Sequence, residues 1–223
     1  QQFRYFLDAR QHFRAELYYV LGNHEAFSSN LQAYRDLMSA AFYFTLRGQT
    51  ARGSVKFVVL ADNRWEPNYQ KPWVEQQLAQ PTTYTFVLHH YPSYASEDPS
   101  NGDVAATLAA YPITLELAGH YHLFDLRDRT MTVGNAGAPL ASAHGFYGFV
   151  RLELQDDGSF AGAAIRQDGV VMDSFSEAIL ATLVPCVNRE AFNIRRSRSS
   201  DSFFFSSRRA LNSSARSITT TCW

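Results

Sequence analysis

The sequence predicts a mixed α/β sandwich, and three of its features support that prediction. Helix-like and strand-like patterns alternate through the first half of the chain. Consecutive strand-like segments follow in the second half, which is the order of elements expected when helices and sheets pack in layers. Hydrophobic residues make up 46% of the 223 residues and charged residues 18%, so the chain has enough apolar material for a packed core.

Two hydrophobic patterns distinguish the elements of the first half. Apolar residues that recur every three or four positions indicate helices, whereas a short unbroken apolar run indicates a strand buried on both faces. The run from Leu17 to Leu21, which ends at Gly22, is of the second kind. In chain order, the patterns predict a helix at 2–15, a strand at 17–21, a helix at 31–41, strands at 42–46 and 55–61, a helix at 70–80 and a strand at 84–88.

The second half contains one long polar segment and a series of strands. Residues 93–103 are rich in Ser, Pro, Asp, Asn and Gly, which predicts a loop, either on the substrate side of a site or an inert connector. A strand at 113–118 and a β connection at 122–134 follow. The segments 146–154 and 160–166 are predicted to form a hairpin.

Charge, hydropathy and cysteine content exclude several classes of protein. Twenty basic residues against 21 acidic ones give a net charge of −1, which disfavours a nucleic-acid-binding function. No apolar run approaches the roughly 20 residues of a membrane-spanning helix. Cys186 and Cys222, the two cysteines, both lie near the C-terminus, which excludes a disulfide framework or a thiolate metal site in the main body. The chain begins with Gln-Gln and shows no recognisable signal peptide, so no compartment is assigned. The oligomeric state is not assigned either.

The composition changes near the C-terminus. Residues 1–180 have the composition of a globular domain, whereas the stretch from Cys186 onward contains seven arginines, nine serines, two acids and no lysine. Seven minus two gives this stretch a charge of +5, which leaves −6 for residues 1–185. Because no helical or strand period continues into it, 186–223 is predicted to be a disordered Arg/Ser-rich tail. Contact of the tail with RNA or anionic lipid is the alternative.

Five of the seven histidines lie in three places, and each place follows a predicted strand at its carboxyl end. The carboxyl ends of strands are where open α/β sheets form binding sites. His12 and His144 lie elsewhere and are given no role. The strands and the histidines that follow them are 17–21 with His24, 84–88 with His89 and His90, and 113–118 with His120 and His122.

The first place is the tetrapeptide Gly22-Asn23-His24-Glu25. Gly22 allows the backbone to turn sharply after the strand. Asn23 can then offer a carbonyl oxygen to a metal, with His24 beside it and Glu25 in a position to orient an imidazole. A polar loop with an Asn/His turn is the alternative interpretation.

The second place is the pair His89-His90, followed by Tyr91 and Pro92. Adjacent residues on an extended backbone point to opposite faces, so only one of the pair is expected to enter a given site. His90, two residues before Pro92, is the favoured one. His89 is predicted to be a packed, hydrogen-bonded partner.

The third place is Gly119-His120-Tyr121-His122. In an extended chain this spacing puts both imidazoles on one side and the Tyr121 ring on the other. Two converging nitrogens suit Zn²⁺, Mn²⁺ or Fe better than Ca²⁺ or Mg²⁺. A pair of solvated surface histidines is the alternative.

Together, Gly-Asn-His-Glu, His-x-Pro and Gly-His-x-His in this order resemble the calcineurin-like metallophosphoesterase superfamily, to which the purple acid phosphatases also belong. The resemblance extends to a Gln-x-x-Trp helix after strand 55–61 and covers roughly residues 1–175. It also includes the closing segments Gly134-Asn135-Ala136-Gly137 and Gly145-Phe146-Tyr147.

The resemblance implies a four-layer fold, a mixed β-sandwich flanked by helices, with two metal ions at the strand ends. The ions would be divalent or trivalent Zn, Mn or Fe, and the substrate a phosphorylated small molecule. Asn23, His90 and His120 would bind one ion, and His122 would bind the other.

Three further residues receive supporting roles by the same resemblance. His24 would face the substrate as a general acid or as a stabiliser of the phosphate. Glu25 and His89 would lie behind the ligands and orient them. The implied activity is metal-dependent hydrolysis of a phosphomonoester or phosphodiester.

The sequence departs from the superfamily pattern in one respect. The pattern begins with Asp-x-His and Gly-Asp motifs on two strands, and neither motif is found at the corresponding place. We therefore interpret residues 1–180 as an N-terminally truncated domain that lacks its first strands, binds one ion or none, and has impaired activity. A non-catalytic metal- or phosphate-binding scaffold is the alternative function.

Overall fold

Two β-sheets and five α-helices form the part of the chain that the structure, a computed structural model, describes: residues 2–38, 41–51, 53–98, 100–155, 159–178, 195–197 and 218–220. The helices are α1 (Gln2–Arg10), α2 (Asn23–Ala26), α3 (Ser28–Met38), α4 (Gln70–Ala79) and α5 (Asn101–Ala109). The strands are β1 (Phe44–Thr50), β2 (Gly53–Val59), β3 (Tyr84–His89), β4 (Leu115–Ala118), β5 (Phe124–Arg127), β6 (Thr130–Val133), β7 (Gly148–Leu154), β8 (Ser159–Arg166), β9 (Val171–Ala178), β10 (Arg195–Ser197) and β11 (Ile218–Thr220).

The first sheet has six strands in the order β1-β2-β3-β4-β6-β5. Strands β2, β3, β4 and β6 are parallel, while the hairpins β1–β2 and β5–β6 add an antiparallel strand at each side. Nearly every residue of β3 and β4 is buried, as expected for central parallel strands covered on both faces. The carboxyl ends of the parallel strands therefore lie side by side at one edge of the sheet.

The second sheet is antiparallel throughout. Its main part is the meander β7-β8-β9, and the backbones of the three-residue strands β11 and β10 lie at its two sides. Strands β7 and β8 form the hairpin that the sequence predicts.

The main core lies between the two sheets. It contains residues from both, and the rings of Phe86 in β3 and Phe160 in β8 meet edge to face, 6.3 Å between centroids. The opposite face of the first sheet is covered by α4 and α5, with Val74 and Leu108 packed against Val58 and Val87. These layers of helix, sheet and sheet confirm the mixed α/β sandwich.

A third cluster packs the N-terminal helices beside the first sheet. Leu21 and Tyr34 are buried in it, and Phe3 and Phe6 of α1 pack against it. The strand predicted at 17–21 is wrong, because this segment joins neither sheet in the described residues and β1 occupies that side of the sheet. Leu21 and Tyr19 pack with α1 and α3 instead, so an unbroken apolar run need not be a strand.

Most other predicted elements are confirmed with shifted ends. Helix α1 ends at Arg10, five residues before the predicted end, and β1 begins two residues later than predicted. The predicted loop 93–103 contains the start of α5, and β9 had no strand prediction. Both errors arise where tertiary packing, rather than local pattern, decides the conformation.

The predicted disordered tail, residues 186–223, lies outside the described residues apart from the backbones of β10 and β11. Cys186 and Cys222 also lie outside them. Within the described residues, no helix combines the length and the apolar character needed to cross a bilayer.

Lys56 joins the first sheet to α4. The side chain is fully buried, and its Nζ donates to the carbonyl oxygens of Gln77 and Gln80, both at 2.6 Å. The last carbonyls of a helix are poorly supplied with donors within the helix, so Lys56 adds a charged donor to two of them at the end of α4.

Replacement of Lys56 by Met is expected to lower the free energy of unfolding by about 1–3 kcal/mol, because the carbonyl oxygens of Gln77 and Gln80 lose a hydrogen bond from a charged donor. The measurement is urea unfolding followed by circular dichroism. Lys71, the second of the two lysines, pairs with Asp103 near the surface at 2.6 Å, and Lys71→Met is the matched control with little expected loss. Equal stability of the two variants would show that the hydrogen bonds from Lys56 to the end of α4 do not stabilise the fold.

Gly134, directly after β6, holds the segment between β4 and β5 in place by close approach. A β-carbon at this position would lie 2.2 Å from the carbonyl oxygen of Tyr121, so Gly134→Ala forces one backbone away from the other. The expected loss is roughly 1–3 kcal/mol in the free energy of unfolding.

The same unfolding experiment has a matched control at Gly102 in α5, where a β-carbon would meet nothing within 4 Å. Gly102→Ala is expected to be neutral or slightly stabilising because Ala favours the helix. If Gly134→Ala were as stable as Gly102→Ala, the contact with Tyr121 would not constrain the backbone.

Candidate metal centre

Two imidazoles from different strand ends meet at the carboxyl edge of the first sheet. His90 follows β3, His120 follows β4, and Nε2 of His90 lies 3.1 Å from Nδ1 of His120. Their ring centroids are 5.0 Å apart at a steep angle. The structure therefore brings together two histidines that are 30 residues apart in the sequence, at the sheet edge where α/β proteins form sites.

The surroundings of this pair disfavour its protonated forms. Burial lowers the pKa of His90 to about 4; Asp62 acts in the opposite direction, and the neighbouring histidines reinforce the decrease. Burial also lowers the pKa of His120, with Glu97 acting in the opposite direction and His122 reinforcing the decrease. Both rings are therefore neutral near pH 7, which is the form of imidazole that binds a metal ion.

His120 has a left-handed backbone conformation, with φ of 61°. This conformation is uncommon for a residue with a side chain and is often held in place at functional sites. Residues 119–122 therefore form a bend and not an extended strand. The argument that alternation along a strand puts His120 and His122 on one side does not apply to a bend.

His122 makes a different contact from His120. Its Nδ1 lies 2.7 Å from the carbonyl oxygen of Pro139, and since a carbonyl only accepts, Nδ1 carries the proton. In a neutral ring the acceptor nitrogen is then Nε2. Metal-binding histidines commonly have this arrangement, in which one nitrogen donates to a backbone carbonyl and the other is the ligand.

The Gly22–Glu25 tetrapeptide also lies at the histidine pair. A β-carbon on Gly22 would lie 3.4 Å from the His90 ring. His24 is exposed, packs its ring edge to face with Phe27 at 6.5 Å, and contributes to the lowered pKa of both His90 and His120. His24 is therefore close to the pair and accessible to solvent.

Asn23 reaches the pair through Tyr91. Burial raises the pKa of the Tyr91 hydroxyl and the Asn23 side chain acts against that rise, while the Tyr91 ring lies against His120 with centroids 4.4 Å apart. Glu25 lies near Gly22 and acts electrostatically on Tyr34. In the part of the chain that is described, no hydrogen bond joins Glu25 to an imidazole.

His89 has the surroundings expected of a packed partner, and they are strongly charged. Its Nδ1 lies 3.1 Å from Asp62 and its Nε2 lies 2.9 Å from Glu116, with the ring fully buried. Burial opposes the charged form, but the two carboxylates outweigh it and raise the pKa of His89 to about 10. The charge of His89 in turn helps to hold the pKa values of Asp62 and Glu116 below their ordinary values despite burial.

Asp62, Glu116 and Tyr91 also belong to this site but were not among the residues predicted from the sequence. Glu116 is the one acid in the otherwise apolar strand β4, whose four residues are all buried. A charged residue in a buried strand needs a partner, so this pattern was a detectable signal. Asp62 and Tyr91 carry no comparable signal, because an acid or an aromatic residue after a strand is ordinary.

The polar segment after His90 lies against the bend that carries His120. The rings of Tyr94 and Tyr121 stack at 6.0 Å, and the hydroxyl of Tyr121 donates to Glu97. The segment therefore borders the candidate site, although its role as a substrate-side loop stays a prediction.

The donor set fits one metal ion better than two. Two nitrogens that bind one Zn²⁺ at roughly 2.0–2.1 Å each lie no more than about 4.2 Å apart, and 3.1 Å between His90 and His120 satisfies that limit. Among the described residues, no group of three or more His, Cys, Asp or Glu side chains is arranged to hold an ion.

Comparison with known proteins supports the sequence motifs. A family model described as calcineurin-like phosphoesterase matches residues 1–124, which is more than half of the chain and includes all the candidate site residues. Neither the curated proteins nor the solved structures include a significant match. On the strength of the family match and of the fold that brings the motif histidines to one sheet edge, the chain belongs to the calcineurin-like phosphoesterase family.

Proposed function

We propose that the chain hydrolyses phosphoesters at the sheet edge that carries His90 and His120, with an ion bound by these two imidazoles. Family membership supports metal-dependent phosphoester hydrolysis in general. The observation that favours this site is the contact between two neutral imidazoles, 3.1 Å apart, from the ends of neighbouring parallel strands. The proposed substrate is a phosphorylated small molecule.

In the proposed site, Asn23 joins His90 and His120 as the third ligand of one ion. His122, whose Nδ1 donates to Pro139, supplies Nε2 to a second ion. Zn, Mn and Fe all accept this mixture of nitrogen and amide oxygen donors. The second ion of the dinuclear centre has one ligand among these residues, so we propose that this chain binds one ion, weakly, and that its hydrolytic activity is impaired.

A bound ion would supply positive charge to the phosphoryl oxygens and would make water more acidic. The chain's own residues have separate tasks in the proposal. His24, which is exposed beside the pair, donates a proton to the departing oxygen or stabilises the phosphate. His89 and Glu25 lie behind the ligands as supporting residues.

Removal of one ligand is expected to abolish binding and turnover together. For His120→Ala, affinity for Mn²⁺ or Zn²⁺, measured by isothermal titration, and hydrolysis of p-nitrophenyl phosphate should both fall by at least about 100-fold. His12→Ala is the matched control, because His12 is exposed, lies outside the three histidine motifs and is given no role. Unchanged binding in His120→Ala would contradict the proposed ligand.

Replacement of the proposed general acid should separate binding from chemistry. His24→Gln is expected to keep the affinity for Mn²⁺ and to lower the rate of p-nitrophenyl phosphate hydrolysis by roughly 10²–10⁴-fold, the usual contribution of a positioned acid. The measurement is a steady-state rate at saturating Mn²⁺. A rate equal to that of the unchanged chain would exclude the role of His24.

The alternative function, a metal- or phosphate-binding scaffold without catalysis, is favoured by the incomplete donor set. It predicts that the chain binds Mn²⁺ or inorganic phosphate but does not hydrolyse p-nitrophenyl phosphate or its diester at any metal concentration. Turnover that depends on both His120 and His24 would exclude it.

A further inference from the structure

Two carboxylates and one imidazole are buried directly beside the histidine pair. Asp62 follows β2, His89 ends β3 and Glu116 lies in β4, so the three side chains connect three neighbouring strands. The side chains are between 0% and 5% exposed, and each nitrogen of the His89 ring faces a different carboxylate. Carboxylates only accept, so both ring nitrogens of His89 donate.

We propose that Asp62, His89 and Glu116 form a positioning chain that fixes His90 against His120. The inference rests on the proposed function, because it assigns the three residues to the support of an ion-binding pair. None of them is proposed to touch substrate.

Asp62 reaches His90 through the main chain. Its Oδ1 accepts from the backbone N–H of His90 at 3.0 Å, and its Oδ2 accepts from the backbone N–H of Tyr91 at 2.6 Å. The same Oδ2 faces His89. One carboxylate therefore holds the ring of His89 and the backbone of the two residues that follow it.

Glu116 holds the other end of the same turn. Its Oε1 accepts from the backbone N–H of Ser93 at 2.7 Å, and its Oε2 accepts from the Ser93 hydroxyl at 2.6 Å and the Thr130 hydroxyl at 2.8 Å. With Asp62 at its beginning and Glu116 at its end, the turn from His89 to Ser93 is attached to two buried charges. His90 lies between these two attachments.

A role in stability alone does not account well for this arrangement. Buried charged groups are expensive to desolvate, and well-packed apolar side chains of similar volume stabilise a core equally well or better. Hydrogen bonds of defined direction, in contrast, restrict where a neighbouring ligand can point. The arrangement is therefore suited to orientation of the His90 ring.

The test is a titration of the full chain with Co²⁺, followed by visible absorption, in Glu116→Gln. This variant keeps the shape of the side chain but removes its charge. Because supporting partners of metal ligands usually change metal affinity by 10–100-fold, Glu116→Gln is expected to bind Co²⁺ about 10–100-fold more weakly, with an altered absorption spectrum. Affinity and spectrum equal to those of the unchanged chain would overturn the inference.

Asp103→Asn is the matched control. Asp103 accepts from Trp65 at 2.7 Å and from Lys71 at 2.6 Å, and it has no hydrogen bond to a histidine within the described part of the chain. Its loss should leave Co²⁺ binding unchanged. If Asp103→Asn weakened binding as much as Glu116→Gln, a general loss of stability would explain both, and the positioning role would be rejected.

A metal-free measurement separates this inference from the proposed function. Imidazole ¹⁵N spectra report the tautomers of His90 and His120 without any ion, and Glu116→Gln should shift both. Absence of Co²⁺ binding by the unchanged chain would contradict the proposed function. Unshifted ¹⁵N signals in Glu116→Gln would contradict the positioning chain.

A milder variant covers the case in which Glu116→Gln does not fold. Thr130→Val removes one hydrogen bond to Oε2 of Glu116 and keeps the volume of the side chain. It is expected to change Co²⁺ affinity in the same direction by several-fold. Unchanged affinity in a folded Thr130→Val would overturn the inference.

Discussion

The hydrogen bonds of His89 to Asp62 and Glu116 connect the carboxyl ends of three parallel strands, and the geometry of the candidate site depends on them. They can form only in the observed register, in which His89 lies beside Ala118 and Val87 lies beside Glu116. A slip of one residue would turn Glu116 to the opposite face of β4 and leave a buried imidazolium with one partner. The backbone pairing of the parallel strands and the hydrogen bonds among Asp62, His89 and Glu116 therefore specify the same strand register.

Tight backbone contacts complete the site on its other side. His120 is held at φ of 61°, and Gly134 leaves room for the carbonyl of Tyr121 where a β-carbon would collide with it. Such a conformation persists only when the surrounding structure enforces it. In consequence His120 contacts His90 while His122 contacts Pro139, so the two histidines of this short motif lie against different parts of the sheet edge.

The sequence was sufficient to predict the sandwich and the meeting of His90 with His120, because hydrophobic patterns and strand ends are local features. It was not sufficient for the segment 17–21, which joins no described sheet and whose Tyr19 and Leu21 pack with α1 and α3. It also did not identify Asp62 or Tyr91, since a hydrogen bond to a backbone N–H leaves no trace in the residue pattern. The bend at His120 is a third case, because a left-handed residue other than Gly or Asn is enforced by tertiary contacts and not by its own preference.

The neighbours His89 and His90 illustrate how the environment, and not the residue type, assigns a role. Both rings are buried, and burial alone would make both neutral. Two carboxylates keep His89 charged, with a pKa of about 10, whereas His90 faces another imidazole and has a pKa of about 4. A ligand has to be neutral and a hydrogen-bonded support between two acids has to be charged, so the adjacent histidines are complementary. Alternation along β3 separates them, and the acids at the ends of β2 and in β4 determine which one becomes the support.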